Sequence, residues 1–467
     1  AFAFCTNLKE VIIPEDAELL QIGYRAFAYS GLESIAIPAS VTKLGAHSYD
    51  LGVPSEDEIE AHNDWFVNVA QYGNANSSRV KDGWGLGKTP WQGRVFEGCG
   101  SLKKVIISTT ASCEYMFVYC ASLSDVQFNN SEIRAFSDYQ FAFCSSLKTI
   151  DLPWYLTWPA QSTFAYSGLT EITLPRGMQV QTSLNLFEPE GAGMFDGCKD
   201  LKKVTIPETY QAIPDRMFAY SGLEEVTLPT NIKVVGQGAF AWCENLKTVV
   251  FPEECKDLTL MTNAFGDTAM EGDLDFSNMT LRLENGRDEV SREVFRGTKI
   301  TSIKFADDIT EFGAYLFYGC ENLRSVEVNN LKKVGANCLA YCSSLESISF
   351  ADDATSIGLY AFQYCTSLKE INIPDSVTDL NDEAFMYSGL ETVTIGAGIT
   401  YIPVRAFLGS KLKTVHISSA VTMIEPSAFL LCEDLQSFTV DEANKDYRVG
   451  DYGELYNKTT NQLMYFP

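Results

Sequence analysis

Apolar residues return along this chain on a fixed beat. From Phe295 a large apolar anchor recurs at Phe317, Leu339, Phe362, Phe385, Phe407 and Phe429, in steps of 22, 22, 23, 23, 22 and 22 residues. Each anchor follows a small or apolar residue, usually Ala, and three residues later comes Cys, Ser or Thr. A run of the form Leu-x-x-Val-x-Ile follows, often closed by Pro, as in Leu368-Lys-Glu-Ile371-Asn-Ile373-Pro374. In that run Leu368, Ile371 and Ile373 point inward while Lys369, Glu370 and Asn372 do not, which is the two-residue period of a strand. Pro374 cannot donate to a ladder and ends it. A second apolar pair, Val377 and Leu380, marks another short strand and matches Val41 and Leu44. The segment Ala-Phe-x-aromatic-Cys is too short for a helix and predicts a single helical or 3₁₀ turn. Self-similarity at this period means stacked supersecondary units, each burying its apolar side against its neighbours.

Extended toward the start, the anchors are Phe2, Phe27, Tyr49, Phe96, Phe117, Phe141, Phe164, Phe195, Phe218, Phe240, Phe265 and Phe295. With the six later ones they predict a strand-rich α/β solenoid of about 18 coils of 22–23 residues. Two steps run long, Phe164 to Phe195 and Phe265 to Phe295, with the extra residues near 179–191 and 281–292. Residues 51–92 break the period outright and form one large insertion. The expected organisation is a solenoid over 1–440, carrying that insertion, and a C-terminal capping hairpin element over 441–467.

Composition narrows the function. A formal charge of −26 argues against nucleic-acid binding, which needs Lys and Arg to neutralise phosphates, and against adsorption to anionic lipid. Acidity of this kind keeps a long monomer soluble. No apolar run approaches the ~18–20 residues that span a bilayer, and no signal peptide is visible; the chain opens inside a repeat, which reads as a fragment. Ten of the thirteen cysteines occupy one slot, three after the anchor: Cys5, Cys99, Cys120, Cys144, Cys198, Cys243, Cys320, Cys342, Cys365 and Cys432. Other coils put Ser30, Ser167, Ser221, Thr298, Ser388 or Ser410 there. Exchange with hydroxyls predicts a small, weakly hydrogen-bonding interior rung of reduced thiols, not a disulfide framework.

The repeat resembles the BspA-type, or Treponema-type, leucine-rich repeats. Their pattern, Ile-Pro-x-x-Val-Thr-x-Ile-Gly-x-x-Ala-Phe-x-x-Cys-x-x-Leu-x-x-Val, is met here by Ile373-Pro374-Asp-Ser-Val377-Thr378 running on to Ala384-Phe385, and by Val41-Thr42-Lys-Leu44-Gly45. Tyr447 to Pro467 is similar to the hairpin that closes such arrays. The chain lacks the Asn rung of ordinary leucine-rich repeats and has the Cys/Ser/Thr rung instead. The resemblance implies a right-handed superhelix in a secreted or surface-exposed protein of an anaerobic bacterium. It implies adhesion to host matrix proteins or other microbial surface proteins, with no enzyme activity, cofactor or metal.

Three features are candidates for binding. A mixed charged ribbon (Lys9-Glu10, Lys103-Lys104, Glu224-Glu225, Lys369-Glu370) lines the strands and is either a protein-binding face or the solvated side of a sheet. Aromatics two residues after the anchor, such as Tyr29, Tyr119, Tyr220, Trp242, Tyr341, Tyr364 and Tyr387, predict a stack along the solenoid that either packs coils together or binds sugars. The insertion gathers His62, Trp65, Tyr72, Trp84 and Trp91, including half of the six tryptophans. Loops on rigid scaffolds carry binding function, and Trp is enriched at hot spots. The insertion therefore either binds a protein or glycan, or folds down as a cover, which would favour a passive stalk that presents a further domain.

Catalytic constellations are poorly represented. The three histidines (His47, His62, His416) match no metal or nucleophile motif, and Gly83-x-Gly85-x-Gly87 lacks the flanking strand and helix of a phosphate loop. Asp307-Asp308 and Asp352-Asp353 are single acidic pairs without the spaced ligands of a calcium cage. Four sequons, at Asn76, Asn129, Asn278 and Asn457, would matter only in a eukaryotic source.

Overall fold

The computed structural model describes residues 2–46, 93–157, 160–178, 192–253, 255–283 and 290–467. The chain forms two compact units, Ala1–Pro153 and Trp154–Pro467. Both are parallel β-solenoids in which most coils give a short strand to one or both of two faces. In the first unit Glu10–Val11, Ser34–Ile37, Lys104–Ile107 and Asp125–Phe128 form one face, with Glu10, Ser34, Lys104 and Asp125 in register. Gln21–Gly23 pairs with Lys43–Ala46 on the other. In the second unit the longest runs are Glu370–Asn372, Thr392–Thr394, Thr414–Ile417 and Ser437–Val440 on one face. Glu311–Phe312, Lys333–Val334, Ser356–Ile357 and Asp379–Leu380 lie on the other. The two-residue pattern holds: Ile371 is buried between exposed Glu370 and Asn372. Pro38, Pro175, Pro207, Pro229 and Pro374 each follow a strand by starting a turn, the carbonyl accepting from the residue three on, as Pro374 does from Val377 at 3.1 Å.

The corner that joins the two faces holds the anchors. Their rings form a buried spine, near-parallel from coil to coil: Phe27–Phe96 at 5.4 Å, Phe96–Phe117 at 5.2 Å, Phe195–Phe218 at 5.5 Å and Phe385–Phe407 at 5.3 Å. The first of these corrects the coil count. Phe27 and Phe96 stack directly and the Phe27 N–H donates to Val95 at 3.0 Å, so no coil lies between them. Tyr49, expected to anchor one, lies outside the described residues. Without residues 47–92 the step from Phe27 to Phe96 is 23 residues, the ordinary period.

The expected helical turn at the anchor does not form, and no helix occurs among the described residues. Residues two before and two after the anchor adopt positive φ, as at Tyr115 (57°) and Tyr119 (61°) around Phe117. Left-handed geometry in a non-glycine residue costs about 1–2 kcal/mol. The alternation it produces divides the amides between two uses. Tyr115, Phe117 and Tyr119 donate to Asp138, Gln140 and Ala142 of the next coil at 2.9, 2.8 and 3.1 Å. Val118 and Cys120 donate three residues back within their own coil, at 3.2 and 3.1 Å. The five amides of Tyr115 and of Phe117 to Cys120 are thereby satisfied, three of them by the next coil, which a continuous helical turn would not achieve between stacked coils.

The rung behaves as its residue types require. The thiols of Cys99, Cys120, Cys198, Cys243 and Cys320 donate to the anchor carbonyl of the preceding coil at 3.0–3.1 Å. Hydroxyl rungs sit against thiol rungs, with Ser221–Cys243 at 3.3 Å and Thr298–Cys320 at 3.4 Å. All thirteen cysteines are free. Burial pushes the Cys198, Cys243 and Cys320 thiols up to about 12. Cys99 is instead lowered, chiefly by a hydrogen bond with the Cys120 thiol.

At the chain's end the parallel ladder gives way to an antiparallel sheet of Tyr447–Val449, Leu455–Asn457 and Leu463–Tyr465. Tyr465 packs edge-on against Phe429 at 5.5 Å, and its hydroxyl donates to the Glu425 carbonyl at 2.6 Å.

Candidate interaction surfaces

The candidate residues of the insertion, His62, Trp65, Tyr72, Trp84 and Trp91, lie outside the described residues, as does His47. What is described is the place where the chain leaves and returns. It leaves after Lys43–Ala46 and returns at Gly93, whose N–H donates to the Gly45 carbonyl at 3.0 Å. Both glycines are left-handed, and a Cβ on Gly93 would sit 2.1 Å from the Glu114 carbonyl oxygen. Only glycine permits so close a return.

Beside the return point lies a charged cluster. Glu97, immediately after the anchor Phe96, is fully buried. One carboxylate oxygen pairs with Arg25 Nε at 2.8 Å and the other with an Arg94 terminal nitrogen at 2.9 Å. The Tyr29 hydroxyl donates to the same carboxylate at 3.2 Å, and the Arg94 guanidinium lies 4.5 Å from the centre of the Tyr115 ring. Sequence reasoning missed this cluster. Its signal was a carboxylate after an anchor, where neighbouring coils put Ala28, Val118 and Ala142.

The charged ribbon on the strand face pairs with itself. Glu33 lies between Lys9 and Lys103, each at 3.6 Å, and Glu391 between Lys369, at 3.8 Å, and Lys413. Lys104–Asp125 at 3.0 Å and Lys202–Glu224 at 2.9 Å continue the pattern. Signs alternate between adjacent coils, so in-register stacking puts opposite charges side by side. Such exposed pairs add little stability, but a shifted register would bring like charges together.

The aromatics two after the anchor do form stacks, at 5.2 Å for Phe4–Tyr29, 4.7 Å for Tyr220–Trp242, 4.9 Å for Tyr341–Tyr364 and 5.1 Å for Tyr364–Tyr387. Where a coil has glycine there, the ring before it explains the choice. A Cβ on Gly409 would lie 2.4 Å from Tyr387, and one on Gly98 would lie 2.3 Å from Tyr29. Within each stack the rings cover one another's faces. A sugar platform needs an open face, so stacking favours the packing role.

Candidate metal ligands stay dispersed. No group of three His, Cys, Asp or Glu side chains among the described residues could hold an ion. Asp307 accepts from the Asn329 amide at 2.7 Å, Asp308 accepts the Leu281 N–H at 3.1 Å and Asp353 pairs with Lys332. His416 is exposed on the strand face, paired through Nδ1 with the Thr439 hydroxyl at 2.9 Å and through Nε2 with Asp441 at 3.1 Å. Among the described residues no helix is long and apolar enough to cross a membrane.

A family model described as the BspA type leucine rich repeat region matches residues 1–51, 92–188, 191–285, 288–411 and 332–450. The chain belongs to the BspA-type leucine-rich repeat family. Its repeats supply the parallel coils and the Phe spine described above, and the matched segments pass over 52–91. A leucine-rich repeat protein from Bacteroides ovatus ATCC 8483 has a similar structure, with 25% identity and a TM-score of 0.62 over 75% of this chain and 86% of that one. A leucine rich cell surface protein from Faecalibacterium prausnitzii A2-165 aligns at 21% identity over 90% of this chain and 83% of that one, with a TM-score of 0.37. The pneumococcal vaccine antigen PcpA aligns at 19% identity over 88% and 84%, with a TM-score of 0.41. A search of curated protein sequences finds no match.

Proposed function

We propose that this BspA-type repeat protein is a non-enzymatic, secreted or cell-surface scaffold that captures a protein partner, a matrix or microbial surface protein, mainly through the insertion. The observation that carries this reading is the contrast between the array and its one large interruption. The array's chemistry is directed inward or to its own neighbours: thiols to carbonyls, Lys to Glu between coils, rings to rings. On either side of residues 47–92 the Gly93 N–H meets the Gly45 carbonyl, and Phe27 stacks directly on Phe96. A segment that the scaffold does not need for stacking, and that holds Trp65, Trp84 and Trp91, is the economical place for recognition. Family membership supports the location.

The reading is tested by presenting the protein to a panel of purified matrix proteins and to a glycan array, then repeating the positive contacts with Trp84→Ala. Loss of roughly 1–3 kcal/mol in protein capture is expected. Capture of glycans alone would replace the protein partner with a sugar.

A further inference from the structure

The step from one anchor to the next is 21–25 residues everywhere except at three places. These are Phe27 to Phe96, Phe164 to Phe195 and Phe265 to Phe295, where the chain makes an excursion before reaching the next anchor. The residue immediately after each receiving anchor is Glu97, Asp196 or Arg296. After every other anchor that position is uncharged: Ala28, Val118, Ala142, Ala165, Ala219, Ala241, with Gly, Tyr, Gln, Met or Leu in later coils. Charge at this position therefore coincides with return from an excursion, three times of three.

Each of these charges is paired with a residue two before an anchor. Glu97 holds Arg25 and Arg94 at 2.8 and 2.9 Å. Asp196 accepts two hydrogen bonds from Arg216, at 3.1 and 2.6 Å. Arg296 donates to Glu293 at 3.0 Å and lies 3.7 Å from Asp267. Either sign serves, so the shared property is the pair and not an attraction to one kind of ligand. The position two before an anchor is the left-handed residue whose N–H bonds to the next coil, as Arg94 does to Glu114 at 2.9 Å, Arg216 to Gln237 at 2.9 Å and Glu293 to Ala314 at 3.1 Å. In an ordinary coil the short, continuous chain sets where that residue falls. After a long excursion the connection no longer does so, because the entropy of a long loop changes little when its end shifts by a residue.

We propose that these ion pairs are re-entry clasps: a charge just after the anchor, paired with a charge on a neighbouring coil (Glu97 with Arg25, Asp196 with Arg216, Arg296 with Asp267), fixes the register in which the chain rejoins the array. A one-residue slip at Phe96 would carry Glu97, together with Arg94, out of reach of Arg25 on the preceding coil and leave the buried carboxylate without that partner, a penalty that an Ala at the same site would not impose. The clasp thus penalises alternative returns, the specifying role for which buried ion pairs are best suited. It also holds the base of each excursion at a defined point.

The test is hydrogen exchange on the intact chain carrying Glu97→Gln, Asp196→Asn or Arg296→Met, read at residues 93–97, 192–196 and 290–296. Each variant should speed exchange at its own return, on the order of 100-fold for buried Glu97 and about tenfold for the other two, and leave the other returns unchanged. Gln363→Ala, after an anchor with no excursion, should change nothing comparable. The charge swap D196R/R216D should restore protection at 192–196. The proposal fails if the three substitutions leave their own returns unchanged, or if Gln363→Ala has the same effect as they do. It fails equally if the swap behaves no better than Asp196→Asn. Should Glu97→Gln not fold, the Asp196 single and swap variants decide the matter by themselves.

Discussion

Replacing Phe362 by Ala removes one ring from the middle of the spine. That ring is fully buried, lies 5.2 Å from Phe385 in parallel stacking and meets Phe350 edge-on at 6.3 Å. The main-chain ladder is untouched, because the Phe362 N–H to the Ala384 carbonyl (2.8 Å) and the Cys365 N–H to the Phe362 carbonyl (3.2 Å) need no side chain. The loss is then burial plus cavity, about 3–5 kcal/mol for Phe to Ala, of which the lost ring pair accounts for about 0.5–1.5 kcal/mol. Phe362→Leu should cost less, about 1–2 kcal/mol, since the preceding coil already places Leu339 at this site. Because each coil contacts only its neighbours, a loss of about 4 kcal/mol should raise amide exchange roughly a thousandfold in peptides spanning 335–345, 358–367 and 381–390. Peptides from 212–240, in the same unit, should keep their protection. Exchange that rose evenly across Trp154–Pro467 would refute nearest-neighbour coupling, and an unchanged profile would refute the spine.

Other outcomes follow from the same geometry. Gly409→Ala should cost about 1–3 kcal/mol, since its φ of +66° and the Tyr387 ring 2.4 Å from the new Cβ both oppose it. Tyr387→Gly in that background should recover part of the loss in a thermal melt, and failure to do so would remove the ring from the explanation. In native protein at pH 8 a maleimide should label Cys5, the exposed thiol, and spare the buried rungs; mass spectrometry finding most rungs labelled or disulfide-paired would contradict the ladder. Raised thiol values also predict alkaline weakening. A rung that binds its proton more tightly folded than unfolded contributes fully below about pH 9, and that contribution disappears as pH rises toward about 12. Denaturation midpoints that held constant across this window would count against it.

The period, the two strand faces, the Phe spine and the thiol rung were legible in the sequence because each coil repeats the same side-chain demands. Three features were not. Gly45-Ala-His-Ser-Tyr49 copies the approach Gly23-Tyr-Arg-Ala-Phe27, so the pattern alone places an anchor at Tyr49; only the contact between Phe27 and Phe96 shows that the coil is completed by residues beyond the insertion. Ala-Phe-x-aromatic-Cys reads as a helical turn because Tyr and Phe seldom take positive φ, and the reason they do so here is the amide ladder to the next coil, which is non-local. The pairing of Glu97 with Arg25 joins residues 72 positions apart and becomes visible only once the coils are stacked. The candidate binding residues of 51–92 follow no period, and repetition says nothing about their arrangement.

Deleting residues 47–92 and joining Ala46 to Gly93 is the most direct test of the claim that the array is the scaffold and the insertion the recognition element. The N–H of Gly93 already meets the Gly45 carbonyl at 3.0 Å, and the shortened step from Phe27 to Phe96 has the ordinary length of 23 residues. Surface plasmon resonance against a matrix protein captured by the intact chain should then show binding abolished, while the variant melts cooperatively close to the parent. Full binding by the folded deletion variant would contradict the account and move recognition to the strand face.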